Sequence, residues 1–186
     1  MVYQVNTLNM ESIGTDPISV EEAKLFCRVE NDLEDGLFAT FINAAMKQAE
    51  HFTGRVIRQV RFTQMVDVVF NNPKIYLPVS PLVAVESIKF NDETIDLNDC
   101  EIDLSAPFGI PLFGSVTLPC NVIGKVTLQV LAGYDPVPEG FKQWILTKVA
   151  TLYEYRESAV VGQNFNVFGR TFVDALIEPY SVYGAF

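Results

Sequence analysis

Apolar residues recur at helical spacing on both sides of a central stretch where they recur at strand spacing. Ser19 opens the first helical pattern. Its hydroxyl can accept from an early backbone N–H while Glu22 reaches back, a capping box. Val20, Ala23, Lys24 and Cys27 follow at helical steps, and Leu25 and Phe26 widen the apolar face. A second, longer helix is predicted from Asp32, as cap, to Gly54, which supplies a left-handed C-cap. Glu34 and Asp35 fall in its first turn, where the helix dipole favours carboxylates. Its stripe reads Leu37, Phe41, Ala44, Ala45, Gln48 and Phe52, flanked by Leu33, Phe38, Ile42 and Ala49, so the pattern predicts burial on more than one side.

From Val56 to Gly133 the period changes to two. Strands are predicted at 61–70, 75–77 and 83–90, with Asn91-Asp92 as a tight hairpin turn. Residues 94–97 return along that hairpin, and 101–104 continue the sheet. Residues 105–114 read as a loop, and 115–118 and 125–132 close an antiparallel module. Pro138 then begins a helix whose stripe is Phe141, Ile145, Lys148/Val149, Leu152 and Tyr155/Arg156, widened by Trp144 and running to about Ser158.

Two flanks lack this order. Residues 1–16 carry scattered Val, Leu and Ile without a period, and read as an arm that is flexible or laid along a neighbour. Residues 159–186 carry Phe165, Phe168, Phe172, Tyr180, Tyr183 and Phe186 with few charges. Thr171–Ile177 is predicted as a short helix stopped by Pro179. A segment this apolar either folds back on its own domain or docks on another subunit. The pattern as a whole predicts an α+β fold in one domain. Residues 1–16 are an arm, 17–58 helical, 59–133 an inserted antiparallel β module, 134–158 a helix and 159–186 a docking tail.

Composition narrows the function classes. The chain of 186 residues has 49% hydrophobic and 19% charged residues, which suits a folded core. It offers no apolar run long enough for a membrane span and no secretory signal pattern, so no membrane partner is expected. A formal net charge of −10 and the absence of a Lys/Arg block exclude a nucleic-acid-gripping role, yet suit a surface past which DNA slides. Cys27, Cys100 and Cys120 are far apart and read as reduced structural thiols. His51 is the single histidine, so His-based triads and two-His metal sites lack partners, and it reads as a surface or interface residue. Phosphate-loop, dinucleotide and nucleophile-elbow motifs do not occur. The acidic groups Asp92-Glu93, Asp96/Asp99 and Glu101/Asp103 read as solvated charges at turns and strand edges rather than calcium ligands. No enzyme activity, metal or cofactor is expected.

Several segments resemble one family in order and spacing. Pro17-Ile18-Ser19-Val20-Glu21-Glu22-Ala23-Lys24, Arg28-Val29 and Asn31-Asp32-Leu33-Glu34-Asp35 resemble the opening of the head–tail connector (head-completion or adaptor) proteins of tailed bacteriophages. So do Ile42-Asn43-Ala44-Ala45, Ala49-Glu50, Phe52-Thr53-Gly54-Arg55, Tyr134-Asp135-Pro136-Val137-Pro138, Leu152-Tyr153-Glu154-Tyr155-Arg156-Glu157 and Leu176-Ile177-Glu178-Pro179-Tyr180. The resemblance implies a structural virion protein at the neck, between head and tail, assembled in the host cytoplasm. It implies a closed ring of about twelve copies that binds the portal protein, presents a platform to the tail or the next completion protein, and lets genomic DNA pass through its lumen. By the same resemblance, the portal or subunit interface falls on Phe165, Phe168, Phe172, Leu176, Ile177, Tyr180, Tyr183 and Phe186. Two alternatives stand beside it: another neck or tail-completion protein of the virion, and a small hydrolase built on the acidic hairpins.

Overall fold

The computed structural model describes residues 3–69, 73–104, 114–119, 122–155 and 173–182, with residues 3–8 in backbone only. The fold is mixed α and β, as the two periodicities predict. The chain divides into two compact units, and it visits each twice. One unit takes Met1–Thr15 and Arg58–Asp135, the other Asp16–Ile57 and Pro136–Phe186.

The β unit holds strands β1 (Tyr3–Ser12), β2 (Val60–Val68), β3 (Lys74–Tyr76), β4 (Leu82–Phe90), β5 (Glu93–Ile95), β6 (Glu101–Asp103), β7 (Ser115–Thr117) and β8 (Gly124–Ala132). They form a five-stranded sheet in the order β1-β2-β8-β4-β5 and a three-stranded sheet in the order β3-β7-β6, every pair antiparallel. Alternation along β2 and β8 sends Val60, Phe62, Val66 and Val68, and Val126, Leu128, Val130 and Ala132, to the buried side. Ile75, Leu77, Val116 and Leu118 are fully buried as well. Asn91 and Asp92 join β4 to β5 with φ of 49° and 69°, the two positive values that a tight hairpin of this hand needs.

Two expectations for this unit are corrected. Residues 3–12 are not an arm but strand β1, paired with β2 from Tyr3↔Val68 to Ser12↔Val60. A register shift between Val5 and Thr7 changes the phase of the alternation. Tyr3 and Val5 on one side of the bulge, and Leu8 and Met10 on the other, therefore share a register row with the even residues of β2 although their spacing in sequence shows no single period. Residues 101–103 do not continue the large sheet; they pair with β7 in the small one. The predicted loop lies outside the described residues from 105 to 113.

The helical unit holds α1 (Val20–Cys27), α2 (Asp35–Thr53) and α3 (Glu139–Glu154). Ser19 caps α1, its Oγ accepting from the Glu22 N–H at 3.1 Å. An eight-residue helix is marginal alone, and packing of Ile18 and Ala23 in the core holds it. α2 begins at Asp35, later than predicted, with Glu34 as N-cap. Asp32 does not cap it, because its carboxylate accepts from Lys24 Nζ at 2.6 Å instead. The buried stripe is Phe38, Ile42, Ala45, Met46, Ala49 and Thr53. Of the predicted stripe Ala45 is buried, Ala44 and Gln48 are exposed, and Leu37, Phe41 and Phe52 are half-buried, while the flanking Phe38, Ile42 and Ala49 join the core and the flanking Leu33 is exposed. Gly54 ends α2 with φ of 67°, its N–H donating to the Glu50 carbonyl at 2.8 Å.

α3 starts after Pro138 and buries Phe141, Trp144, Ile145, Leu146 and Val149. It runs antiparallel to α2. Phe38 near the start of α2 stacks on Tyr153 near the end of α3 at 4.9 Å, and Phe52 near the end of α2 meets the Trp144 ring edge-on at 6.0 Å. The described part of α3 ends at Glu154, and residues 156–158 of the predicted helix lie outside the described residues.

Candidate assembly interface

Of the predicted interface residues, Leu176, Ile177 and Tyr180 are described; Phe165, Phe168, Phe172, Tyr183 and Phe186 lie outside the described residues. The predicted Thr171–Ile177 helix is replaced by two 3₁₀ turns, Asp174–Leu176 and Glu178–Tyr180, with Pro179 inside the second rather than stopping the first. Proline has no N–H to extend an α-helical ladder and disfavours α geometry in the residue before it. The segment closes i→i+3 bonds instead, such as Ile177 N–H to Asp174 O at 3.1 Å and Ser181 N–H to Glu178 O at 3.0 Å.

These turns pack on their own helical unit. Ile177 and Val182 are only 3% and 4% exposed. Tyr180 lies against Phe141 with ring centroids 4.7 Å apart, and Trp144 Nε1–H donates to Asp174 Oδ1 at 3.1 Å. Arg55 Nε–H donates to the Tyr180 carbonyl, and the Val182 N–H donates to Thr53 O at 2.8 Å, which fastens the segment to the end of α2. Gly140 permits the approach: a Cβ there would lie 2.7 Å from Leu176 O. The structure thus separates the described trio. Ile177 is core, Tyr180 is half-buried, and Leu176 stands at the surface with Ala175, Glu178 and Pro179.

The opposite end of this unit carries a second apolar surface that periodicity did not single out. Leu33 is 93% exposed and Leu25 80% exposed, and Phe26, Leu152 and Tyr155 are exposed too. They gather where α1 ends, α2 begins and α3 ends. Lys24, only 8% exposed, fixes that junction by donating from Nζ to Asp32 Oδ1 at 2.6 Å and Asp35 Oδ1 at 2.7 Å. Its hydrogen bonds to both carboxylates hold the Lys24 ammonium above the usual lysine range, and the same ammonium holds the Asp32 carboxyl below the usual carboxylate range. Tyr153 O–H donates to Glu34 Oε2 at 2.8 Å on the same side. The sequence signal for this surface was Leu33, an apolar residue placed between Asp32 and Glu34 ahead of the helix.

Chemistry beyond packing is sparse. Among the described residues no group of three or more His, Cys, Asp or Glu side chains could hold a metal ion, and no helix is long and apolar enough to cross a membrane. Asp96 accepts from the Asn98 N–H at 3.0 Å and so caps the 3₁₀ turn Leu97–Asp99. Cys27 and Cys100 are free, and burial pushes both thiols up, at Cys100 helped by Asp99 and Asp96, which disfavours the reactive thiolate. Cys120 lies outside the described residues. His51 is exposed, its ring 6.2 Å from that of Phe52.

Residues 17–106 match the family described as Phage gp6-like head-tail connector protein. No curated protein matches the sequence. Among solved structures, the chain is similar to one from the virion of a native gene transfer agent (GTA) particle, at TM-score 0.68 and 16% identity, covering 97% of this chain and 98% of that chain. It is also similar to one from the neck of an empty GTA particle computed with C6 symmetry, at TM-score 0.64, 16% identity and the same coverage. A third, from the neck of a native GTA particle computed with C12 symmetry, gives TM-score 0.58 and 17% identity over 97% and 98% of the two chains. At these identities the likeness is one of fold, and it runs through both units. Residues 17–106, just under half of the chain, are thus similar to the phage gp6-like head-tail connector family, and the likeness of fold extends over the rest.

Proposed function

We propose that this protein is a structural component of the neck of a phage-like particle. Copies close into a ring between portal and tail and extend the channel through which DNA passes. The observation that carries this reading is the joint one: a connector-family match over 17–106, and a fold shared across 97% of the chain with chains of GTA necks. The neighbours come from necks treated with six- and twelve-fold symmetry, which supports a closed ring of heterologous contacts. A net charge of −10 supports the same reading, since an acidic lumen lets a phosphate backbone slide without gripping it.

In this reading the tail meets the portal. Ile177 and Tyr180 anchor it to the helical unit. Leu176, with Phe165, Phe168, Phe172, Tyr183 and Phe186, supplies the apolar contact, because aromatic residues with few charges suit the core of an interface. The protein does its work by assembly, without turnover. Mixing it with portal rings and measuring mass by native mass spectrometry tests this. A ring of the protein seated on the portal is expected, and a chain that stays monomeric and leaves portal rings unchanged overturns it. Particles assembled without the protein separate the adaptor from a tail-completion role. Filled heads that leak DNA indicate the adaptor, whereas altered tail length indicates the other.

A further inference from the structure

Among the described residues the five-stranded sheet offers two unpaired strand edges, of opposite direction. β1 pairs with β2 on one side, and among the described residues no strand pairs with its other side. At the far end, β5 pairs with Ile88–Phe90 of β4, and among the described residues no strand pairs with Leu82–Ser87 on that flank, which is irregular where the register shifts at Leu82/Ala84 and Val85/Ser87. An unpaired strand edge is a row of backbone donors and acceptors, and monomeric proteins protect it with Lys, Pro, short strands or bulges. β1 is ten residues long, has no Lys, Arg or Pro, and carries Glu11 as its one carboxylate. Past its single bulge, Thr7–Ser12 runs in regular register. Such an edge fits a strand partner.

Topology selects the partner. β1, β2, β8 and β4 alternate in direction, so an even number of strands lies between the two open edges. A second copy placed alongside by rotation about an axis parallel to the strands therefore brings its β4 antiparallel to β1, and the alternation continues across the junction. We propose that the outer edge of β1 receives the Leu82–Ser87 edge of β4 from a neighbouring copy of this chain. This rests on the ring reading above and names its contact. The pairing joins two different edges, which is the head-to-tail kind of contact that closes a ring; β1 against β1 would stop at a dimer.

Two measurements test it on the full chain, free and assembled on portal rings. First, amide exchange across residues 3–12 and 82–87 is expected to slow at least about tenfold on assembly. Second, Asn9 and Glu11 share a face of the sheet with Ala84 and Ser87, through the rows Asn9–Thr63–Gln129–Ser87 and Glu11–Arg61–Leu131–Ala84. Within one copy three strand spacings, about 14 Å, separate the two edges, too far for a disulfide, whose Cα atoms lie within about 7 Å. Double variants that combine Asn9→Cys or Glu11→Cys with Ala84→Cys or Ser87→Cys are expected to give a ladder of disulfide-linked oligomers in at least one combination. The single variants are expected to give none.

If a ring forms with exchange unchanged at both edges, or with no ladder in any combination, the proposal fails and the ring reading stands. Linkage of Asn9→Cys or Glu11→Cys alone into dimers overturns it in favour of β1 against β1. Absence of any ring overturns both.

Discussion

At the residue scale, Lys24 shows how a side chain is assigned by its charge partners rather than by its place in a pattern. Its spacing puts it on the buried face of α1, and it is 8% exposed there. Burial of an ammonium is tolerated because Asp32 and Asp35 both accept from it. Lys24→Met keeps the apolar stem and removes the charge, and we expect a lower midpoint in urea unfolding. The pH dependence follows from the two shifts. Asp32 is held below the ordinary aspartate value of 3.8, so its contribution is present above that value and is lost as pH falls through the folded value beneath it. Lys24 is held above the ordinary lysine value of 10.5, so its contribution is complete below that value and is lost as pH rises through the folded value above it. The difference between wild type and Lys24→Met should therefore be largest between those limits and shrink beyond both. A difference that stays constant into strong acid would show that the pair does not act as described. Sequence reasoning found the Ser19 cap because a capping box is local. It gave Asp32 to the α2 cap because nothing local reveals that Lys24, from the previous helix, competes for that carboxylate and wins it.

At the scale of elements, what was legible depended on whether the signal stayed in phase. β2 and β8 alternate without interruption, and the Asn91-Asp92 turn writes its own positive φ values into the sequence. β1 was missed because a bulge changes phase in the middle of it. The α2 stripe was displaced because both candidate rows are apolar, and only packing against α3 decides between them. The 3₁₀ turns at 174–180 show the reverse case: a helical composition is diverted by Pro179 and held down by long-range bonds to Trp144, Thr53 and Arg55. Gly140 tests this docking. In an exposed helix Gly→Ala is favourable by about 1 kcal/mol. Here the added methyl would stand 2.7 Å from Leu176 O, a backbone atom that cannot turn aside. We expect the sign to reverse: Gly140→Ala should cost about 1–3 kcal/mol, as overpacking does, with faster limited proteolysis within 173–182. A stabilised Gly140→Ala would show that the turn does not press on α3.

At the scale of the whole molecule, the chain enters each of its units twice, and that interleaving hid the role of the C-terminal segment. An apolar tail reads equally well as core or as docking arm until its partners are known, and the structure gives residues 173–182 to the core. Residues 173–182 belong to the helical unit, whereas in the proposed reading Tyr183 and Phe186 reach the portal. Two truncations separate the roles. A chain ending at Tyr155 loses Ile177 and Val182, each worth about 1.5–3 kcal/mol when fully buried. It also uncovers Phe141 and leaves the Trp144 N–H without Asp174. Against a total stability of about 5–15 kcal/mol, that loss should lower the melting temperature steeply and reduce soluble yield. A chain ending at Val182 keeps every one of those contacts, so it should melt with the full-length protein yet sediment with portal rings more weakly. Equal melting of the Tyr155-ended chain would refute the core role of 173–182. Undiminished portal binding by the Val182-ended chain would remove Tyr183 and Phe186 from the interface and leave the apolar contact to Phe165, Phe168, Phe172 and Leu176.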